Sequence, residues 1–441
     1  MFKEMKKLII FFFAGMVLAL CSCKKDEESF APGSNRAINA WIWETMKKQY
    51  YWENTLPGRQ RIDQDPQSYF MTLLHPQDRF STILQNQNSE TYGYSFENTF
   101  GFDFVQYERS GSWTTLVTLV VPGSQADQLG LSRGDTLLRL NNLNLSQPIQ
   151  PSIPALLRSN VINLTRKDGK SFAIASAIIA QPVIYRHAVL EHDHRKYGYL
   201  NISHFDFSGG YALLGAIEGF RANGVSELIL DLRHNPGGQV SFSAFCALLF
   251  TKVKPADVFV EMRGNRKVGM RQLSFDAALQ NQPDGYRFRS ADLKAKSLNL
   301  SRIFILSSGQ TASAAELLIN NLKPYIDVRQ IGQTTMGKDM GSSSVKSPPE
   351  VSGKESYNWV LHPLVYKLYN QQGHGDYSTG ISPNTLLDEY ASDRIFPFGD
   401  PQDPMVRAVL EGKVLRGDAG KRSEGKGRVV YERDFVRAMV F

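Results

Sequence analysis

The chain has 441 residues, 42% of them hydrophobic and 21% charged, which excludes a disordered protein and leaves room for two or three packed units. Most of its formal charge of +7 lies at the ends. Lys413 to Phe441 alone carries eight Lys/Arg against four Asp/Glu, and the region before it is near balance, so no basic face for nucleic acid is indicated.

In chain order, Lys3, Lys6 and Lys7 precede an apolar run from Leu8 to Leu20 that is short for a bilayer span. Residues 1–22 therefore read as a targeting segment. Leu20-Cys21-Ser22-Cys23 looks like a bacterial lipobox. Cys23, preceded by the small Ser22, is the candidate lipidation site. With Cys23 acylated, Cys246 has no intrachain partner after cleavage and reads as a core residue. Residues 23–36 form a polar linker with Pro32 and Gly33. Residues 37–90 read as a small helical unit, with Ile38, Trp41, Ile42, Trp43, Met46, Tyr50 and Tyr51 on apolar faces. Residues 92–182 are β-rich. From 183 to 412 strands and helices alternate: strands near Val183, Tyr199, Leu228, Ile303 and Val328, and helices over Tyr211–Asn223, after Gln239 and after Thr311. That alternation predicts an α/β layer architecture. Val360–Tyr369 reads as a further strand interrupted by Pro363, and Asp403–Leu410 as a last helix. Residues 413–441 are a basic tail. His192-Asp193-His194 has metal-ligand types but no distant third ligand, and reads as a polar hairpin tip.

Two segments carry candidate chemistry. The apolar strand Ile303–Leu306 is broken at Gly309, and Ala312, Ala315, Leu318, Ile319 and Leu322 then repeat at helical spacing. Ser313 thus falls in the first turn of a helix, where free N–H groups and the positive dipole end suit an oxyanion. Ser313 with Glu316 also spells a capping box, so a structural reading stands beside the catalytic one. Lys338 lies 25 positions on, among small residues. A serine becomes a nucleophile only when a base takes its proton, and a lysine is that base only when burial keeps it uncharged. Upstream, Asp231-Leu232-Arg233-His234-Asn235-Pro236-Gly237-Gly238 ends a buried strand in a turn whose paired glycines expose backbone N–H groups.

Three ordered stretches resemble the carboxyl-terminal processing peptidases, or tail-specific proteases. Asp231–Gly238 is similar to the family's D-x-R-x-N-x-G-G stretch, Gly309–Glu316 to its G-x-x-A-S-A-x-E nucleophile motif, and Thr335-Met336-Gly337-Lys338 to its T-x-G-K base motif. The resemblance implies a crotonase/ClpP-like peptidase core without metal or cofactor, acting on protein or peptide substrates. Ser313 would be the nucleophile and Lys338 the general base. The N–H of Ala314 and of one of Gly237 or Gly238 would form the oxyanion hole. Two positions just after Lys338 depart from the pattern: Asp339 stands where a glycine is common, and Ser342 where a glutamine orients the lysine; Ala315 also replaces a common serine, and Asn384 a usual Asp. Ser342 and Glu316 are the candidate orienting groups. His234 reads as a rim residue.

Leu116–Ala126 followed by Leu129-Gly130-Leu131-Ser132-Arg133-Gly134-Asp135 resembles a PDZ domain. Phe100-Gly101-Phe102 is similar to that domain's carboxylate-binding loop, where amides hold a peptide C-terminus. The chain as a whole is expected to be a lipid-anchored serine endopeptidase of the bacterial cell envelope, on the outer membrane. The competing expectation is an inactive PDZ-bearing scaffold, favoured by Asp339 and the missing glutamine.

Overall fold

The computed structural model describes residues 30–85, 95–353, 358–391, 394–416 and 428–431. The targeting segment and Cys23 lie outside these residues. Helix α1 (Asn35–Gln49) begins at Ser34, whose hydroxyl accepts the Ala37 N–H. It buries Ile38, Ile42 and Met46 at four-residue spacing, one face of a helix. Helix α2 (Pro66–Leu73) begins with Pro66 behind an Asp65 cap, a start that needs no N–H from the proline. Tyr69, Phe70 and Leu73 close over α1. Strand β1 (Thr82–Gln85) follows and pairs antiparallel with Trp359–His362, far along the chain. The N-terminal unit is therefore sewn into the rest of the molecule by backbone hydrogen bonds.

The β-rich unit opens with α3 (Phe96–Phe100). An antiparallel sheet follows: β2 (Phe102–Arg109), β3 (Ser112–Val120), β4 (Thr136–Leu140), β5 (Val161–Arg166) and β6 (Ser171–Ala175). Phe96, Phe102, Phe104, Val117, Leu140 and Ile162 fill its core.

The remainder is layered. In chain order come β7 (Ile184–His192), β8 (Arg195–Ile202), α4 (Gly210–Ala222), β9 (Glu227–Asp231), α5 (Val240–Phe250), β10 (Val258–Arg263), β11 (Met270–Ser274), β12 (Arg302–Ser307), α6 (Ala314–Leu322) and β13 (Asp327–Gly332). Then follow β14 (Met340–Ser342), β15 (Val345–Lys346), β16 (Trp359–His362), β17 (Leu364–Tyr369), β18 (Thr385–Leu386), α7 (Pro404–Leu410) and β19 (Arg428–Tyr431). The central sheet has the order β18-β13-β12-β9-β8-β7 and is parallel except for the β7–β8 hairpin. Asp193 and His194, at φ 48° and 60°, turn that hairpin. Leu228, Leu230, Ile303 and Ile305 face α4, α5 and α6, whereas Ile229, Phe304 and Leu306 face α7. A sheet buried on both faces explains why these strands read as continuous apolar runs. Helix α5, Cys246 included, is buried along nearly its whole length.

The strand expected over Val360–Tyr369 is two strands. Proline has no N–H to give a ladder, so the chain breaks at Pro363. Strand β16 then joins the sheet β1-β16-β15, and β17 joins a separate antiparallel sheet, β11-β10-β17-β14. This break carries the N-terminal unit and the segment after Lys338 to the same place.

Candidate active site

Ser313 stands between β12 and α6, where the chain leaves the carboxyl end of the parallel sheet. Its backbone has φ 54° and ψ −119°, a conformation that a residue with a Cβ rarely adopts. Neighbours hold it there: Thr311 Oγ1 donates to Leu232 O at 2.8 Å, and Ala312 N–H to Asn235 O at 3.0 Å. The Asn235–Gly238 turn thereby lies directly on the serine. Gly237, at φ 98°, approaches so closely that a Cβ would meet Ser313 Cβ and Ala314 N at 2.7 Å. Glycine is a geometric requirement at this point.

The two candidate oxyanion glycines differ. Gly237 N–H donates to Asn235 Oδ1 at 2.8 Å. Among the described residues the N–H groups of Gly238 and Ala314 have no partner.

Glu316 has a larger part than a cap. Its buried carboxylate accepts the Ser313 N–H at 2.9 Å, the Gly337 N–H at 2.7 Å, the Lys338 N–H at 2.8 Å and the Thr335 hydroxyl. One oxygen, Oε2, takes both the Ser313 and the Lys338 N–H groups. The side chain from the first turn of α6 therefore fixes the Thr335–Lys338 loop against the serine. Burial pushes the Glu316 carboxyl upward, and the four donors oppose that.

Lys338 is 6% exposed. Burial pushes its ammonium down to about 8, against the attraction of the Glu316 and Asp78 carboxylates. Its Nζ lies 5.7 Å from the centroid of the Phe80 ring. His362, on β16, is itself pushed down by burial and then by the Lys338 charge. Gly337, at φ 90°, lets the loop pass Ser378, whose carbonyl oxygen would lie 2.3 Å from a Cβ.

Asp339 is directed elsewhere. It is buried, raised by that burial, and paired with Lys367 at 3.7 Å rather than with Lys338. Ser342 is exposed at the end of β14, opposite Leu364, and no hydrogen bond joins it to Lys338 among the described residues. Side chains of the N-terminal unit, which sequence reading missed, stand at the Thr335–Lys338 loop. Arg79 Nη2 donates to Met336 O at 3.3 Å, Gly337 O at 3.1 Å and Ser378 O at 2.8 Å, three carbonyls around the base loop. Asp78 Oδ1 accepts the N–H groups of Phe80 and Ser81, and its Oδ2 accepts the Tyr50 hydroxyl at 2.7 Å. The available signal was only His75-Pro76-Gln77-Asp78-Arg79-Phe80, a polar turn after the second helix of the unit.

His234 is buried, not at a rim. Its Nδ1 bonds Gln310 Oε1 at 2.7 Å, and its Nε2 lies 3.3 Å from Glu389 Oε1. Behind it Arg233 is wholly enclosed by Asp231, Glu389 and Asp403, and Glu389 also pairs with Arg133 of the β-rich unit. In that unit Phe100 and Phe102 are buried core residues. Gly101, at φ 79°, ends α3 with its N–H on Glu97 O at 3.1 Å, so its amide is engaged within the fold.

Family models match two stretches, "Peptidase family S41" over residues 196–387 and "Peptidase S41 N-terminal domain" over 37–82. The chain belongs to peptidase family S41, the carboxyl-terminal processing peptidases. It is 23% identical over 325 residues to the "Probable CtpA-like serine protease" of Staphylococcus aureus strain COL, an alignment spanning 73% of this chain and 60% of that protein. A like-named Staphylococcus saprophyticus protein is 23% identical over 397 residues, spanning 85% and 72% of the two chains. The fold is shared with a candidate S41 protease from Bacteroides fragilis NCTC 9343, at a TM-score of 0.68 and 24% identity over 86% of this chain and 97% of that one. It is shared also with a photosystem II D1 C-terminal processing protease, at a TM-score of 0.51 and 16% identity over 85% and 99%.

Proposed function

We propose that this protein is a serine endopeptidase in which Ser313 is the nucleophile and Lys338 the general base. The observation that carries the reading is Glu316 Oε2, which accepts at once from the backbone N–H of the serine and from that of Lys338, a buried lysine. In the first step Ser313 Oγ bonds to the peptide carbonyl carbon and its proton passes to Lys338 Nζ. The carbonyl oxygen takes the negative charge and accepts from the N–H groups of Ala314 and Gly238, the two donors left free. Collapse breaks the C–N bond, Lys338 returns the proton to the departing amine, and an acyl-serine remains. Lys338 then takes a proton from water, whose oxygen attacks the ester carbon; the C–Oγ bond breaks, and Lys338 returns that proton to Ser313 Oγ.

Substrates are extended protein segments, cleaved near C-termini and captured with help from the PDZ-like β-rich unit. The lipobox at Cys23 supports attachment to the outer membrane. The inactive-scaffold reading loses its main argument, because Asp339 pairs with Lys367 and Asp78, Phe80 and His362 surround Lys338 in place of the missing glutamine.

Ser313→Ala and Lys338→Ala should each lower turnover of an unfolded protein substrate by at least about a hundredfold, the scale of a lost nucleophile or base. Circular dichroism and melting temperature should be unchanged. Wild-type rates from either folded variant would refute the dyad.

A further inference from the structure

The outer edge of the β-rich sheet is already occupied by the chain's own tail. Strand β19 pairs antiparallel with β2, placing Tyr431 opposite Gln106, Val429 opposite Tyr107 and Arg428 opposite Glu108. The Tyr431 ring lies 4.7 Å from that of Phe104 and 6.4 Å, edge-on, from that of Phe96. On its other side β2 pairs with β3, so without β19 the backbone groups of its outer edge would have no ladder. Such an edge is a template for any extended chain. The register also gives a direction: β19 runs toward the Phe102 end of β2 as its numbers rise.

We infer that Arg428–Tyr431 is an intramolecular competitor: it fills the β2 edge, where the PDZ resemblance puts an entering peptide strand, and excludes extended peptides bearing an aromatic residue until it is displaced. The inference builds on the peptidase reading, since peptide substrates are the entrants it names. Recognition rests on the backbone ladder and on the contacting Phe96 and Phe104 rings, against which Tyr431 packs. It needs no carboxylate, in keeping with the engaged amide of Gly101. A four-residue strand offers few ladder bonds, so an entrant displaces it at modest cost.

The test measures binding, not cleavage, in a Ser313→Ala background. The probe is a fluorescein-labelled peptide of residues 426–433 of this chain, followed by polarisation. A chain ending at residue 427 should bind it at least tenfold more tightly than the full chain. Tyr431→Ala in the full chain should reproduce that gain, and the same change in the probe should abolish binding. In a second variant, Glu108→Cys with Arg428→Cys places thiols at paired positions. Oxidation should give a monomeric cross-link that blocks the probe, and reduction should restore binding. Equal affinity for full and shortened chains, or a cross-link formed only between two molecules, overturns the proposal. If the competition is seen but the wild-type chain cleaves nothing, the peptidase reading fails and the strand-addition site stands.

Discussion

At the scale of single residues, the proposed dyad is a problem of charge. Lys338 must be neutral to take a proton, and burial supplies that by pushing its pKa down to about 8 while Glu316 and Asp78 hold it up. The rate constant kcat/KM should therefore rise with pH through about 8 and level off above it, because the active form is the deprotonated one. Asp78→Asn removes an anion that favours the ammonium, so the midpoint should move to lower pH. Glu316 and His362, the other titratable groups facing Lys338, remain in that variant. A pH–rate profile of both proteins checks this; an unchanged or raised midpoint contradicts it. The proposed nucleophile and base could be picked out in the sequence because short motifs fix their neighbours. Asp78 and Arg79 were not, since a residue 257 positions from Met336 becomes its neighbour only through the fold.

At the scale of elements, the base loop is a passive piece of chain clamped from two sides. Glu316 takes its N–H groups and Arg79 takes its carbonyls. Arg79→Ala should lower kcat by about ten- to a hundredfold with little change in KM, since misplacing a catalytic group by about an ångström has that scale of effect. Arg79→Lys should recover only part, because an ammonium lacks the planar guanidinium that reaches three carbonyls. Steady-state kinetics of both variants decide it; a pure KM effect would mean that Arg79 touches substrate instead. Elements with a buried stripe were readable from periodicity: the strands at Ile303 and Leu228 and the helices after Gln239 and Thr311 all lie where apolar runs predicted. Strand β19 was not readable, because four residues in a basic tail carry no periodic signal.

At the scale of the whole molecule, the units are joined by a buried ionic cluster rather than by loops alone. Arg233 is fully enclosed and bonded to Asp231, Glu389 and Asp403, while Arg133 reaches Glu389 from the β-rich unit. Removing the central cation leaves three carboxylates in a water-poor site. Arg233→Ala should therefore cost about 3–5 kcal/mol of stability, read by denaturant unfolding. A cost below about 1 kcal/mol would show that water enters and screens the cluster. The sequence showed Arg233 as part of a motif but not as a junction, since its partners come from stretches with no mutual pattern.

The clamp from the N-terminal unit also bears on when the proposed chemistry could begin. With that unit undocked, Lys338 is open to water and its pKa returns toward 10.5. Its uncharged fraction at neutral pH then falls steeply. Before that unit docks the proposed base would stay charged, so hydrolysis would wait on the last contact made.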